Sequence, residues 1–501
     1  MSTSTDRPVA TRMHRASPAR NMQPTIAGGQ QSRLLIVLIV AAVALAVLPT
    51  LVRYLYVKHE LSDYPPPPPF PLAKDISLAA AVALFLVCSV VVLVRGGRAA
   101  LERNISGASI LLIALLVPYI ISRTSLETED IVKVALAAAV IAAVWSIGAP
   151  VDGLKWLPIA GSMIGIYSII GGIIIPEYMN SVTDSEKLLI ANWQLAGPFW
   201  HANVLGLFSV FALALTPLIA SVRWRIFHGA ILCMTIVATA QRTALVAAGV
   251  LALWWMICRL RSMASIRLAG TALIGWCAAA VLMLPILNSN PDAFVLRGSA
   301  WAASLSLWQE SPWVGMGINF TTVLRTWFHH GHNLAVDTLV RSGLVGICVL
   351  ALALLAAIRS TRALDVPSHQ VAFFGYLITF LVASCTEVNW TLIPTLPLFP
   401  VVGLVFAVLI CREPCRPDGA SLAGTTMSMP PGLPMRRLDS RSSAKPCAAT
   451  RETFTAHQTT ADLLKCESLP PHRDGIHSVE WAFEDRGDSV ATATRYSRDD
   501  E

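Results

Sequence analysis

Long apolar runs set the first limit on what this chain can fold into. They recur at lengths of about 17–24 residues, which as α-helix crosses a bilayer hydrocarbon core of roughly 30 Å. We read twelve, near 34–53, 76–95, 106–122, 130–148, 156–176, 202–221, 226–241, 243–258, 268–287, 334–358, 370–386 and 392–411. Strands of a membrane barrel alternate apolar and polar residues over about ten positions, and these runs do not alternate. Composition agrees, because only 14% of the 501 residues are charged and 54% are hydrophobic, too little charge for the surface of a soluble protein. The expected fold class is all-α: a polytopic helical membrane protein with about 12 transmembrane helices.

Basic residues set the expected orientation, since Lys and Arg accumulate on the cytoplasmic side. Residues 1–33 carry Arg7, Arg12, Arg15, Arg20 and Arg33 and read as a basic cytoplasmic arm before an uncleaved first helix. With that arm inside, Arg95, Arg98, Arg103, Arg223, Arg225, Arg259, Arg261, Arg267, Arg359 and Arg362 all fall inside as well. The loops at 54–75, 177–201, 288–333 and 387–391 then lie outside. Pro65 to Pro69 reads as a stiff spacer in the first of these. Both termini are expected in the cytoplasm of a multi-pass protein whose active face is outside. The net charge of +7 is then a topological signature that also suits membrane lipids, and points to no nucleic acid. The membrane domain spans 34–412, and residues 413–501, rich in Ser, Thr, Pro, Arg and Asp, read as a disordered cytoplasmic tail. The ten cysteines lie in spans or on the inner side and suggest no disulfide framework.

Several chemistries lack their motifs. There is no GxxxxGK[ST] phosphate loop, no HExxH, no GxSxG, and no Asp-x-Asp pair in the membrane part to hold a metal-bound nucleotide sugar. Polar residues gather instead between Arg297 and Gly346, in RGSAWAASLSLWQESPWVGMGINFTTVLRTWFHHGHNLAVDTLVRSGLVG. His332 and Asn333 stand at the start of an apolar helix, where Asn333 suits the cap. There the helix dipole disfavours a protonated His332 and leaves it able to take a proton; a helix-start residue with a satisfied ring is the plainer alternative. His329 and His330 have no carboxylate or thiol near them to complete a metal site, so no metal is expected. Gly315 and Gly317 in PWVGMG suit a tight turn.

Arg242, in TIVATAQRTALVAAG, sits at a membrane boundary, where an Arg is either functional or snorkelling to headgroups. Arg297 precedes an interfacial helix over 298–309. His201 and Asn203, in NWQLAGPFWHAN, begin another span on the same side, as caps, interface anchors or site residues. Asp337 and Arg341 lie within the tenth span and keep a secondary transporter open as a reading from another class.

The order RxxxW, PWVGMG, HN and SGLVG, together with GPFWHANVLG and QRTALVA, resembles the O-antigen ligase and O-antigen polymerase superfamily of bacterial envelopes, over about 197–354. Gln241, Thr243 and Arg341 depart from the family's usual residues. The resemblance implies a GT-C-like glycosyltransferase of the bacterial cytoplasmic (inner) membrane with no metal and no cofactor. Such an enzyme moves a glycan from a polyprenyl diphosphate carrier, commonly undecaprenyl diphosphate, to a hydroxyl of a lipid or glycan acceptor such as lipopolysaccharide. It implies Arg242 and Arg297 on the diphosphate, His332 as general base, Asn333 orienting the hydroxyl, and Gly315, Gly317, His201 and Asn203 in support. A polymerase joining repeat units would use the same donor.

Overall fold

The computed structural model describes residues 26–56, 71–95, 105–122, 128–148, 150–182, 193–260, 262–288, 290, 293–318, 320, 331–393 and 396–412. Residues 1–25 of the basic arm, the Pro65–Pro69 spacer, Arg325, His329, His330 and the tail from 413 lie outside them, while 26–33 already belong to the first helix.

Helices dominate because the sequence supplies uninterrupted apolar runs whose backbone polar groups must be satisfied within the segment itself. Those of eight residues or more are, in chain order, α1 (Ile26–Tyr56), α2 (Pro71–Arg95), α3 (Ile105–Ile120), α4 (Thr128–Ile147), α5 (Trp156–Ile174), α6 (Ala202–Ala214), α7 (Val222–Ala238), α8 (Arg242–Arg259), α9 (Met263–Leu287), α10 (Ala293–Gln309), α11 (Leu334–Arg362), α12 (Pro367–Ser384) and α13 (Gly403–Ile410). Among the described residues the departure from an all-α fold is a three-residue antiparallel ladder, β1 (Asn180–Val182) with β2 (Trp193–Leu195), which pairs Ser181 with Gln194.

Among the described residues seven helices are long and apolar enough to cross a membrane: α1, α2, α4, α5 with its preceding 3-10 turn, α8, α9 and α11. Each buries less than half of its most apolar window, so the larger share of its side chains faces outward, as a lipid-facing helix must. The other five expected spans are helices too, but shorter or less apolar. Three of them, α6, α12 and α13, are buried on nearly every side. A helix apolar all round belongs at the centre of a bundle, and α12 packs against α6, α8, α9 and α11 there.

Two expectations are corrected. The interfacial helix expected over 298–309 begins at Ala293, so Arg297 lies within it rather than before it. The tenth span is not one continuous helix, because Gly343 has φ 60° and ψ −157°, far from helical values.

Candidate functional site

The break at Gly343 is a splice. In an unbroken helix Leu344 N–H would bond the Val340 carbonyl and Val345 N–H the Arg341 carbonyl. Instead those two carbonyls accept from Met316 N (2.7 Å) and Gly317 N (3.0 Å), and the two amides donate to Pro312 O (2.9 Å) and Trp313 O (3.1 Å). The PWVGMG loop has thus inserted itself into the helix with every one of these groups satisfied. Gly315 (φ 75°) and Gly317 (φ 90°) supply the left-handed turns. At Gly343 a Cβ would overlap the Trp313 carbonyl group.

The first half of α11 begins at Asn333, which is fully buried. Its Oδ1 accepts from Ala335 N (2.8 Å) and Val336 N (3.1 Å), the expected cap. Its Nδ2 donates to Val281 O in α9 (3.0 Å) and to Cys385 O beyond α12 (3.0 Å). Two acceptor and two donor positions are the whole capacity of the amide. With all four engaged inside the protein, the side chain anchors the helix start. His332, immediately before it, is partly exposed and has a left-handed φ of 47°.

Four residues further on, the buried Asp337 accepts from Gly331 N (3.1 Å) through Oδ1 and from Arg341 Nε (2.8 Å) through Oδ2. Arg341 Nη1 also donates to Ile318 O (2.9 Å), and its guanidinium lies 4.9 Å from the centre of the Phe320 ring. The two ionisable residues that kept transport open are paired with each other.

Cys385, Thr386 and Glu387 each hold a different polar segment. Cys385 O takes Asn333, Thr386 Oγ1 shares a 2.8 Å hydrogen bond with Thr243 Oγ1, and Glu387 Oε1 takes Arg297 Nη2 at 2.6 Å. Thr243 is the second residue of α8, so this bond fixes the helix start that carries Arg242. Arg242 itself is exposed and does not line the cavity described next. The Arg297 and Glu387 side chains are 20% and 10% exposed, so the pair is sheltered enough for its charges to act strongly on each other.

These elements surround a cavity of about 570 Å³. Its polar lining includes His201, Asn203, His332, Asp337, Arg341 and Glu387; Leu115, Pro118, Leu350, Ile393 and Leu398 give it an apolar side. His201 caps α6, accepting Asn203 N on Nδ1 at 2.9 Å, and its ring meets the edge of the half-exposed Trp200. The structure thus brings His201, Asn203 and His332 to one cavity, attaches Arg297 to its rim through Glu387, and uses Gly315 and Gly317 as scaffold. Sequence reasoning missed Glu387. Its one signal was an acidic residue directly after an apolar run.

Residues 227–351 match the family described as O-antigen ligase. The matched stretch contains Arg242, Arg297, Gly315, Gly317, His332 and Asn333, and ends before Glu387. No curated protein and no solved structure matches the chain.

Proposed function

Taking the O-antigen ligase match over residues 227–351 as the premise, we propose that this chain is a membrane glycosyltransferase. It transfers a glycan from a polyprenyl diphosphate carrier to an acceptor hydroxyl. The observation that carries the reading is that His332 and Glu387, the partner of Arg297, line one cavity that also has an apolar side. A polar reacting end beside an apolar wall suits a substrate that is part glycan and part lipid.

In this reading His332 takes the proton from the acceptor hydroxyl as its oxygen bonds to the anomeric carbon. The bond from that carbon to the diphosphate oxygen breaks, and its electron pair leaves with the carrier diphosphate. Charge grows on the phosphate oxygens during that step, and guanidinium groups meet it with paired N–H donors. Among the described residues Arg297 gives only one nitrogen, Nη2, to Glu387. Nη2 carries a second N–H, so it and one neighbouring nitrogen still offer a parallel pair to a phosphate, while Glu387 keeps the guanidinium aimed. Arg242, at the exposed start of α8, is the second cation. One displacement inverts the anomeric centre.

The proposal includes twelve crossings in a GT-C-like arrangement of the bacterial inner membrane, with both termini cytoplasmic and the cavity on the outer side. The alternation of basic clusters along the sequence supports it.

The test is glycan transfer in a deletion strain complemented with wild type, His332→Ala, Arg297→Ala or Arg242→Ala, normalised to protein level. His332→Ala should lower transfer by about 10²–10⁴-fold, the usual contribution of a general base. Carrier-linked glycan should accumulate behind the block. Long accumulated chains indicate a ligase and single repeat units a polymerase. Near-normal transfer by His332→Ala would remove it as the base.

A further inference from the structure

The Asp337–Arg341 pair has no part in the chemistry above, yet both residues line the same cavity. An i, i+4 ion pair on an open helix face contributes little, because water screens it. This one differs in two respects. The Asp337 side chain is only 6% exposed, and both of its oxygens are engaged, one outside its own helix.

The engagement outside the helix falls on Gly331, the residue before His332. His332 holds a left-handed backbone that a residue with a Cβ adopts at a cost, so its surroundings must enforce it. On the C-terminal side the turn is fixed by the four hydrogen bonds of Asn333. On the N-terminal side the described anchor is Gly331 N–H on Asp337 Oδ1. The carboxylate is itself held by Arg341, whose other contacts, to Ile318 O and the face of Phe320, prevent it from swinging away.

We propose that Asp337 and Arg341 are positioning residues that hold the Gly331–His332 turn so that the imidazole faces the cavity. The inference rests on His332 being the base. Both residues act through the turn, and neither touches the reacting atoms.

The test uses the full chain in lipid nanodiscs. The donor is polyprenyl-diphosphate glycan extracted from a deletion strain, and that strain's membrane extract is the acceptor. Rates are normalised to folded protein measured by size exclusion. Asp337→Ala should lower kcat by about 10²-fold, the effect of a reacting group displaced by roughly 1 Å, with donor KM unchanged. Asp337→Asn should recover part of that loss, since it offers the same oxygen to Gly331. Arg341→Lys, which keeps the charge but loses the two-directional grip, should also lower kcat alone, and gives the readout if Asp337→Ala fails to fold. Wild-type kcat per folded molecule in Asp337→Ala or Arg341→Lys would overturn the inference, and so would a change confined to KM. His332→Ala run in parallel separates the two claims. If it is inactive while Asp337→Ala is not, only the positioning role falls; if it is fully active, the base assignment falls and the positioning role with it.

Discussion

The centre of the bundle and the spliced loop beside it are held together by different physics. At the centre, aromatic rings interlock: Phe380 and Trp390 each meet Phe406 at 5.0 Å between centroids, and Phe211 meets Tyr376 at 6.0 Å. Such contacts are numerous, individually weak and tolerant of exchange. Around the loop the apolar cluster is small, comprising Leu307, Met316, Phe320 and Val340 with Trp308 against it. Its order comes instead from directed bonds, those of Asn333, Asp337 and Arg341 and the four backbone bonds of the splice. A region built by packing can lose one atom among many. A region built from a few directed bonds loses an anchor with each, which suits a site whose groups must stay in place.

That contrast can be broken at several points. The largest effect is expected from Asn333→Ala, which deletes a cap and strands two buried carbonyls. It should destabilise the folded protein by on the order of 4 kcal/mol and abolish transfer, both measurable by thermal melting and activity in detergent. Gly343→Ala comes next. Its backbone falls in a region almost reserved for glycine, and strain of roughly 1–3 kcal/mol should appear as a lower Tm, with transfer falling as the loop is pushed out of the helix. Thr243→Val removes one hydroxyl bond to Thr386, for about 1 kcal/mol, and should weaken transfer more than stability by loosening the helix start that bears Arg242. The smallest effect on transfer is expected at the centre. Ile378→Val, at a fully buried position, should cost about 0.5–1.5 kcal/mol and leave transfer per folded molecule unchanged. A core substitution that stopped transfer without changing Tm would show that the two regions are not separable in this way.

What was legible in the sequence follows the same division. Hydropathy located each helix of the bundle, since runs of Leu, Val, Ile and Ala declare themselves. It could not tell a helix facing lipid from one enclosed by protein, because both environments accept the same side chains. For that reason α6, α12 and α13 read as spans like the rest. His201, Asn203 and His332 were legible as polar residues at helix starts. Glu387 was not, for it meets Arg297 across 90 residues of sequence and belongs to no motif. SGLVG was visible as a motif, whereas the break at Gly343 and its insertion partner, the backbone of Pro312 to Gly317, were not, since backbone hydrogen bonds leave little trace in side-chain identity. Asp337 and Arg341 looked like a costly pair in hydrocarbon. Their surroundings give them a different setting.

That setting has a geometric consequence. A straight helix over the 29 residues of α11 would be about 43 Å long, well beyond a hydrocarbon thickness of roughly 30 Å. From Leu344 to Arg362 it is 19 residues, about 28 Å, a close match to that thickness. In the proposed arrangement the break therefore frees the stretch bearing Asp337 and Arg341 from having to fit within that thickness, and one glycine sets where along the helix the crossing part begins.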